Sequence, residues 1–598
     1  MGERNRRSCA RLAVLGAVAM VACACATVPS GGPVVSEKIA PAGGPQAGVY
    51  EQLIAPPPLP GWAPEYIVSG FLYAGADFTG DHKVAGEYLT PAARRSWHPG
   101  SKAIVFSNEP DATLVSPTSG SDATVRVSGR QVATIGSQGE GEYVAAAHGG
   151  GPFQATFHLH KVRGQWRIAD PGNQLLLTSN DVARAYRSQD LYFLDSTMTA
   201  LVPDPVFVPV EENPVPQSVT SLLSGATGWL SQATRTAFPR GTRLIKVDES
   251  DDVVRVNLGG AAAGTSEHQQ ELMSAQLVWT LRTFPDAAQN LNLVLELNGH
   301  PVTLPSIGSA QQPVATSWQN YDPSGVGAGS SFPAFFVGNA NKVQMLDAVG
   351  SQSGATSVPG EAGAGDVALN QIAVSPDSTT SRIAGVSPGD DAVYTGSLAP
   401  RGTLALQLTG RNFTNPSWDR DSNAWVAGAS GGRTGIWMMP GGAHPVPVSM
   451  PSGYGPVQAL RVARDGARIA LITGTGSGQQ LLVGAIVRNG NQVVIGPVVP
   501  VGTGLSQMAQ LTDLAWSDAD NLVVLAQPSG GEEQLFKVPV DGGPYQALGT
   551  APAGTLSVAA APGRPLLAGV PGSGEVQYSP DELSWRNLVQ GQYPAYPG

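Results

Sequence analysis

The sequence predicts an exported multidomain chain: a tethered pair of α+β domains followed by an all-β C-terminal propeller of five or six blades. Three observations predict it. The N-terminus runs from basic to apolar residues and then to cysteine. Residues 61 to 314 mix helical and alternating apolar spacing. From about residue 315 a strand–turn–strand unit recurs at a nearly constant period.

Residues 1–24 read as a lipoprotein signal peptide. Arg4, Arg6, Arg7 and Arg11 form its basic start, and Leu12 to Ala24 carries no charge. That run suits the apolar core of a signal peptide and is too short to span a bilayer. Small residues and a cysteine follow, the order that a lipoprotein signal peptidase requires. Cys25 is the favoured lipidation site, because Cys25-Ala-Thr-Val-Pro-Ser begins a small, polar segment. Cys23 is the alternative, and an ordinary secretory leader is the plainer one. All three cysteines lie at or before position 25, so the mature body is expected to hold no disulfide and no Cys-ligated metal. No later apolar run approaches ~20 residues, the length that spans a bilayer. Residues 25–60, rich in Pro, Gly and Ala, read as a flexible tether.

At 598 residues the chain exceeds what one core supports, and three domains are expected. A net charge of −11 argues against sequence-independent nucleic-acid binding, which depends on Lys and Arg neutralising phosphates. With 74 Gly, 49 Pro and 14% charged residues, turns and strands should outweigh long helices.

The first domain, 61–210, is read as helices and then strands. Residues 64–75 and 84–97 have helical spacing. In Phe153 to His160, Phe153, Ala155, Phe157 and Leu159 share one face, while Gln154, Thr156, His158 and His160 share the other. A turn around Gly164 leads to Trp166-Arg167-Ile168. Helices before an antiparallel sheet with such a hairpin resemble the nuclear-transport-factor-2-like domains. His158 and His160 could share a metal, but with no third ligand nearby in sequence a solvent-facing strand is the more economical reading. Residues 191–210, LYFLDSTMTALVPDPVFVPV, read as two β segments forming an interdomain crossover.

The second domain, 211–314, runs helix (218–230), hairpin (244–247 with 253–258), helix (266–284) and strand (291–297). Ser266 and Gln269 fit a capping box, Pro285 ends the helix, and Asn298-Gly299 is a hairpin turn pair. With SLLSGATGWL near its start and LVLELNG at its end, this segment resembles a GerMN domain.

In the third, 315–598, five segments repeat: 372–386, 416–428, 460–472, 514–525 and 558–569. Aligning Asp377, Asp421, Asp465, Asp520 and Gly563 gives spacings of 44, 44, 55 and 43 residues. A four-stranded propeller blade needs about 40–45 residues. A strand pair near 332–346 precedes the first repeat. A β-sandwich is the competing architecture. The aspartates are assigned turn chemistry, accepting from backbone N–H groups two residues on.

No catalytic constellation emerges. No lysine has Ser three residues before it, and neither HExxH nor a P-loop is present. Gly428-Ala-Ser430-Gly-Gly432 matches a nucleophile elbow in letters, but a Gly-rich hairpin follows where a helix is required. The pairs Glu211-Glu212 and Asp251-Asp252 read as solvated linker and turn residues. Neither catalytic residue, nor cofactor, nor metal is expected.

As a whole the chain resembles the LpqB family, lipoproteins of actinobacterial envelopes. The resemblance rests on CATVPS, LYFLD…LVPDP, the GerMN segment and the propeller, in that order. It implies a lipid anchor at Cys25 on the extracytoplasmic face of the cell membrane. It also implies a non-enzymatic accessory role: binding an MtrB-type sensor histidine kinase and modulating MtrAB signalling. The alternative is an envelope protein that binds peptidoglycan or glycan fragments through GerMN or the propeller mouth.

Overall fold

The computed structural model describes residues 55–598, apart from 137–140, 147–149, 211–213, 251–252, 283–291, 308–314, 326–332, 351–353, 377–380, 491, 503 and 506–507. Cys23, Cys25, Asp377, Pro285 and the pairs Glu211-Glu212 and Asp251-Asp252 lie outside the described residues.

Helix α1, Pro64–Gly75, starts where Pro64 presets the helical φ, and it buries Ile67, Val68, Phe71 and Ala74. The expected helix over 84–97 is two pieces: a 3-10 turn at Ala85–Tyr88 and α2, Pro91–Ser96. Pro91 holds Thr90 extended, and Thr90 caps α2 by accepting from the Ala93 N–H. These helices cover a sheet in which β1 (Lys102–Phe106), β3 (Asp122–Ile135), β5 (Gly151–Val162), β6 (Gln165–Ile168) and β7 (Gln174–Thr178) run in the order β6-β5-β3-β1-β7. Strands β2 (Asp111–Ser119) and β4 (Tyr143–Ala145) also pair with β3. Strand β5 has the faces its alternation predicts: Phe157 and Leu159 are buried, and the even positions are exposed. A short helix α3, Ser179–Ala185, opens on a Thr178–Asp181 capping box.

Strands β8 (Tyr186–Asp195) and β9 (Leu201–Pro209) form a hairpin, and all nine residues of β9 are buried. Pro203, Pro205 and Pro209 occupy alternate positions on β9. The N–H of Phe207, in the same phase, points away from β8 to the Gly141 carbonyl at 2.8 Å. The prolines therefore remove donors from the outer edge and spare the β8 ladder. On the other side of β8 lies β10, Thr234–Arg235.

The GerMN-like sheet orders β11 (Thr242–Ser250), β12 (Val253–Gly260), β13 (Asn292–Leu297) and β14 (His300–Pro301) consecutively. The β12–β13 pair is parallel, joined across α5, Glu267–Leu281. Helix α4 is Val215–Ser224, shorter than the expected 218–230, because Gly225 leaves the helix at φ +99°. Asn298 and Gly299, at φ 51° and 82°, make the expected hairpin turn. The last ten residues of α5 are all buried. The helix lies between the GerMN-like sheet and the β8–β9 hairpin, and its polar side chains serve the hairpin backbone. Gln276 donates to the Tyr192 carbonyl at 2.7 Å, and Thr280 Oγ1 accepts from the Tyr192 N–H at 3.0 Å.

Six four-stranded sheets follow. Five run consecutively outward from inner strands Gln371–Val374, Ser417–Trp418, Val457–Val462, Gln510–Trp516 and Ser557–Ala559, here blades 2 to 6. Blade 1 takes its inner strand, Gln592–Ala595, from the end of the chain and pairs it with Ala334–Val337. The ring is thus closed by joining its first and last strands, and the blade count is six. The long interval between the third and fourth repeats follows from long outer strands in blade 4, Gln480–Asn489 and Gln492–Pro500.

Trp279 is 2% exposed, stacks edge-on against Tyr192 at 5.4 Å, and carries Arg282 over its ring at 3.4 Å. Trp279→Ala is expected to cost about 3–5 kcal/mol. Thermal unfolding of parent and variant measures it, and an unchanged midpoint would contradict this packing role.

Candidate functional site

Two places collect buried polar groups: the propeller axis and the junction between the β8–β9 hairpin and the propeller. At the axis, the inner strands surround a small cavity of about 40 Å³ lined by residues including Asn415, Arg461, Arg464, Trp516 and Tyr593. Several of its polar groups pair with protein partners. Arg461 pairs with Asp513 of blade 5 at 3.2 Å, and Asp513 accepts from the Val558 N–H of blade 6 at 3.0 Å. Arg464 donates to the Pro597 carbonyl at 2.9 Å, and Asn370 to the Tyr593 hydroxyl at 3.0 Å. Indole N–H groups bridge neighbouring blades: Trp418 donates to the Ala373 carbonyl and Trp516 to that of Arg461, both at 3.1 Å. These contacts lace the blades together around the axis.

The repeat aspartates divide by role. Asp465 accepts from the Ala467 and Arg468 N–H groups at 2.8 and 3.2 Å, the expected turn chemistry. In blade 3 that work falls to Asp419, which accepts from the Asn423 N–H at 2.9 Å and the Trp425 indole at 3.0 Å. Asp421 is exposed and lies 3.5 Å from Arg488. In blade 5, Asp518 accepts from the Asp520 N–H at 2.8 Å, which frees the Asp520 carboxyl for the junction.

There Asp520 shares a hydrogen bond with Asp190 of β8. Arg468 lies beside them, fully buried, paired with Asp465 at 2.7 Å and donating to the Ala519 carbonyl at 2.5 Å. Burial pushes both carboxyls up, Asp190 to about 6, while Arg468 partly opposes the rise. Two half-buried carboxyls in hydrogen-bond contact cannot both ionise cheaply, which favours the pair holding a proton between them. The hairpin makes three further attachments. Asp541 of blade 5 accepts from Ser188. The Thr199 carbonyl accepts from Arg420 at 3.4 Å. Val202 packs with Trp229 and Leu230 into the apolar core of blades 4 and 5. Asp204, fully buried, holds the 227–230 turn by accepting from the Thr227 N–H and hydroxyl at 2.6 and 2.7 Å. The sequence reading treats 191–210 as a crossover; the structure makes it the core of the junction.

His158 and His160 are exposed on β5, opposite Thr124 and Asp122 of β3. His160 contacts Asp122, an acidic partner that sequence proximity could not reveal. Among the described residues, no group of three or more His, Cys, Asp or Glu is placed to hold a metal ion. Ser430 ends a strand, donates to the Thr409 carbonyl at 2.8 Å and precedes a two-glycine hairpin turn, which is not elbow geometry. No described helix is long and apolar enough to cross a membrane.

Family models match in three consecutive stretches. "Lipoprotein LpqB, N-terminal domain" covers residues 57–183, "Sporulation and spore germination" 190–303, and "Lipoprotein LpqB beta-propeller domain" 347–597. Lipoprotein LpqB of Thermobifida fusca (strain YX) is 34% identical over 648 residues, covering 100% of both chains. The chain belongs to the LpqB lipoprotein family. Lipoprotein LpqB of Streptomyces coelicolor is 30% identical, covering 100% of the LpqB-family chain described here and 99% of its own. Among solved structures, TolB from Acinetobacter baumannii aligns over 45% of this chain and 67% of its own, at 18% identity and a TM-score of 0.35. The tandem GerMN domains of GerM from Bacillus subtilis align over 27% and 59%, at 16% identity and a TM-score of 0.18.

The junction carries a pH dependence of defined sign. A carboxyl with a raised folded pKa binds more protons folded than unfolded. Its contribution is full below the ordinary value of 3.8 and is lost as pH rises through about 6. Asp190→Asn should therefore reduce the fall in melting temperature between about pH 5 and about pH 7.5. An identical fall in parent and variant would show that Asp190 does not hold the proton.

Proposed function

We propose that the chain is a membrane-anchored accessory lipoprotein on the extracytoplasmic face, acylated at Cys25, that binds and modulates an MtrB-type sensor histidine kinase. The observation that carries this reading is the end-to-end correspondence with LpqB lipoproteins, which spans the N-terminal segment as well as all three domains. Its action is binding and not catalysis. A six-bladed ring with its inner strands laced together gives a rigid face and rim for docking, a use to which propellers are well suited.

Cross-linking the intact lipoprotein in membranes tests the reading. The expected result is a covalent adduct with the kinase's extracytoplasmic region, lost when Cys25→Ser releases the chain from the membrane. Failure to bind the kinase, together with sedimentation on purified cell wall, would replace this reading with the glycan-binding one.

A further inference from the structure

The exposed apolar side chains of the body include Leu59, 49% exposed, and Tyr66, 66% exposed. Both sit where the chain enters the body, and Trp62 lies between them, its ring 6.5 Å from Tyr66 and 6.5 Å from Tyr88. The segment is pinned at two points. The Tyr88 hydroxyl donates to the Pro56 carbonyl at 2.7 Å, and the Gly61 N–H donates to Gln165 Oε1 at 2.8 Å. Pro56, Pro57, Pro58 and Pro60 stiffen it further. The rings are thus held out on a fixed ledge. Gln165 adjoins the turn between β5 and β6; Arg163 is exposed on that turn, and Lys161, exposed near the end of β5, holds its ammonium 4.7 Å from the centre of the Trp166 ring. Two cations beside this ledge stand out in a chain of net charge −11. Glu65, half-buried in the first turn of α1, and Glu87, half-buried beside Tyr88, are acidic neighbours on the ledge side.

We infer that this ledge and turn form a lipid-contact surface that seats the first domain on an anionic leaflet. The inference rests on the anchor at Cys25. Residues 25–54 can separate ledge from lipid by at most about 100 Å of extended chain, and the ledge is the described part of the body nearest the anchor along the chain. Its chemistry fits that occupant. Trp and Tyr place an apolar ring and a polar tip at headgroup level, and Lys and Arg extend toward anionic headgroups.

The test uses the full-length, lipidated chain in vesicles containing phosphatidylglycerol. With Cys25 capped by its lipid, a nitroxide is placed at Leu59→Cys or, as reference, at Leu406→Cys on the outer strand of blade 2, where Leu406 is 52% exposed. The label at 59 should show a several-fold loss of accessibility to a water-soluble nickel chelate and a gain to oxygen, relative to the label at 406. Lys161→Glu with Arg163→Glu should return it toward solvent. Equal chelate access at both positions, in protein that floats with the vesicles, overturns the inference. So does shielding at 59 already present in lipid-free Cys25→Ser protein, which would mean that the preceding chain covers the ledge. Failure to float at all refutes the anchor, and the inference with it.

Discussion

The apolar half of β8, Leu191–Asp195, and the whole of β9 have no free face, and the rest of the body depends on that constraint. The two segments are too apolar to stand alone: Leu191, Tyr192, Phe193, Leu194 and the whole of β9 are buried. Each side is covered by a different domain. Helix α5 takes the Tyr192 backbone through Gln276 and Thr280. Tyr143 of the first domain packs on Phe207 at 5.0 Å. Blades 3 to 5 receive Thr199, Asp190, Ser188 and Val202. Removing any one cover would expose apolar surface that contributes roughly 25 cal/mol per Å² when buried.

The polar groups at this junction add specificity to that burial. A buried ion pair adds little net stability over an apolar replacement, but breaking one by deleting a partner is costly. Arg468 with Asp465, and the proton-sharing Asp190–Asp520 pair, therefore fix which turn of which blade meets the hairpin. The same logic runs around the ring. Arg461–Asp513 and the Trp418 and Trp516 indoles each bind one blade to the next, and the terminal strand on Ala334–Val337 closes the circle.

Much of this was legible in the sequence where one periodicity governed. The face of β5, the Asn298-Gly299 turn and the blade repeat all follow from local spacing. Helix ends were less legible, because Pro91 and Gly225 act through backbone geometry at single residues. Asp421 was matched to the wrong partner, since Asp419 two residues earlier occupies the equivalent turn site. The junction was hidden for a deeper reason. Asp190 contacts Asp520 across more than half the chain, and no local pattern reports such a pairing. One local sign did exist: Asp204 is a carboxylate set inside an apolar strand, where an unpartnered charge would be prohibitive. Such residues need partners, even when spacing cannot name them.

A rigid junction also fixes the first domain, the GerMN-like domain and the propeller in one arrangement. Hydrogen–deuterium exchange across the intact chain tests that rigidity directly. The hairpin amides of Tyr186–Pro209 should exchange as slowly as those of α5 and the inner strands of blades 4 and 5, opening only with them. Fast exchange in the hairpin, while α5 and the blades on either side stay protected, would contradict its role as the shared core.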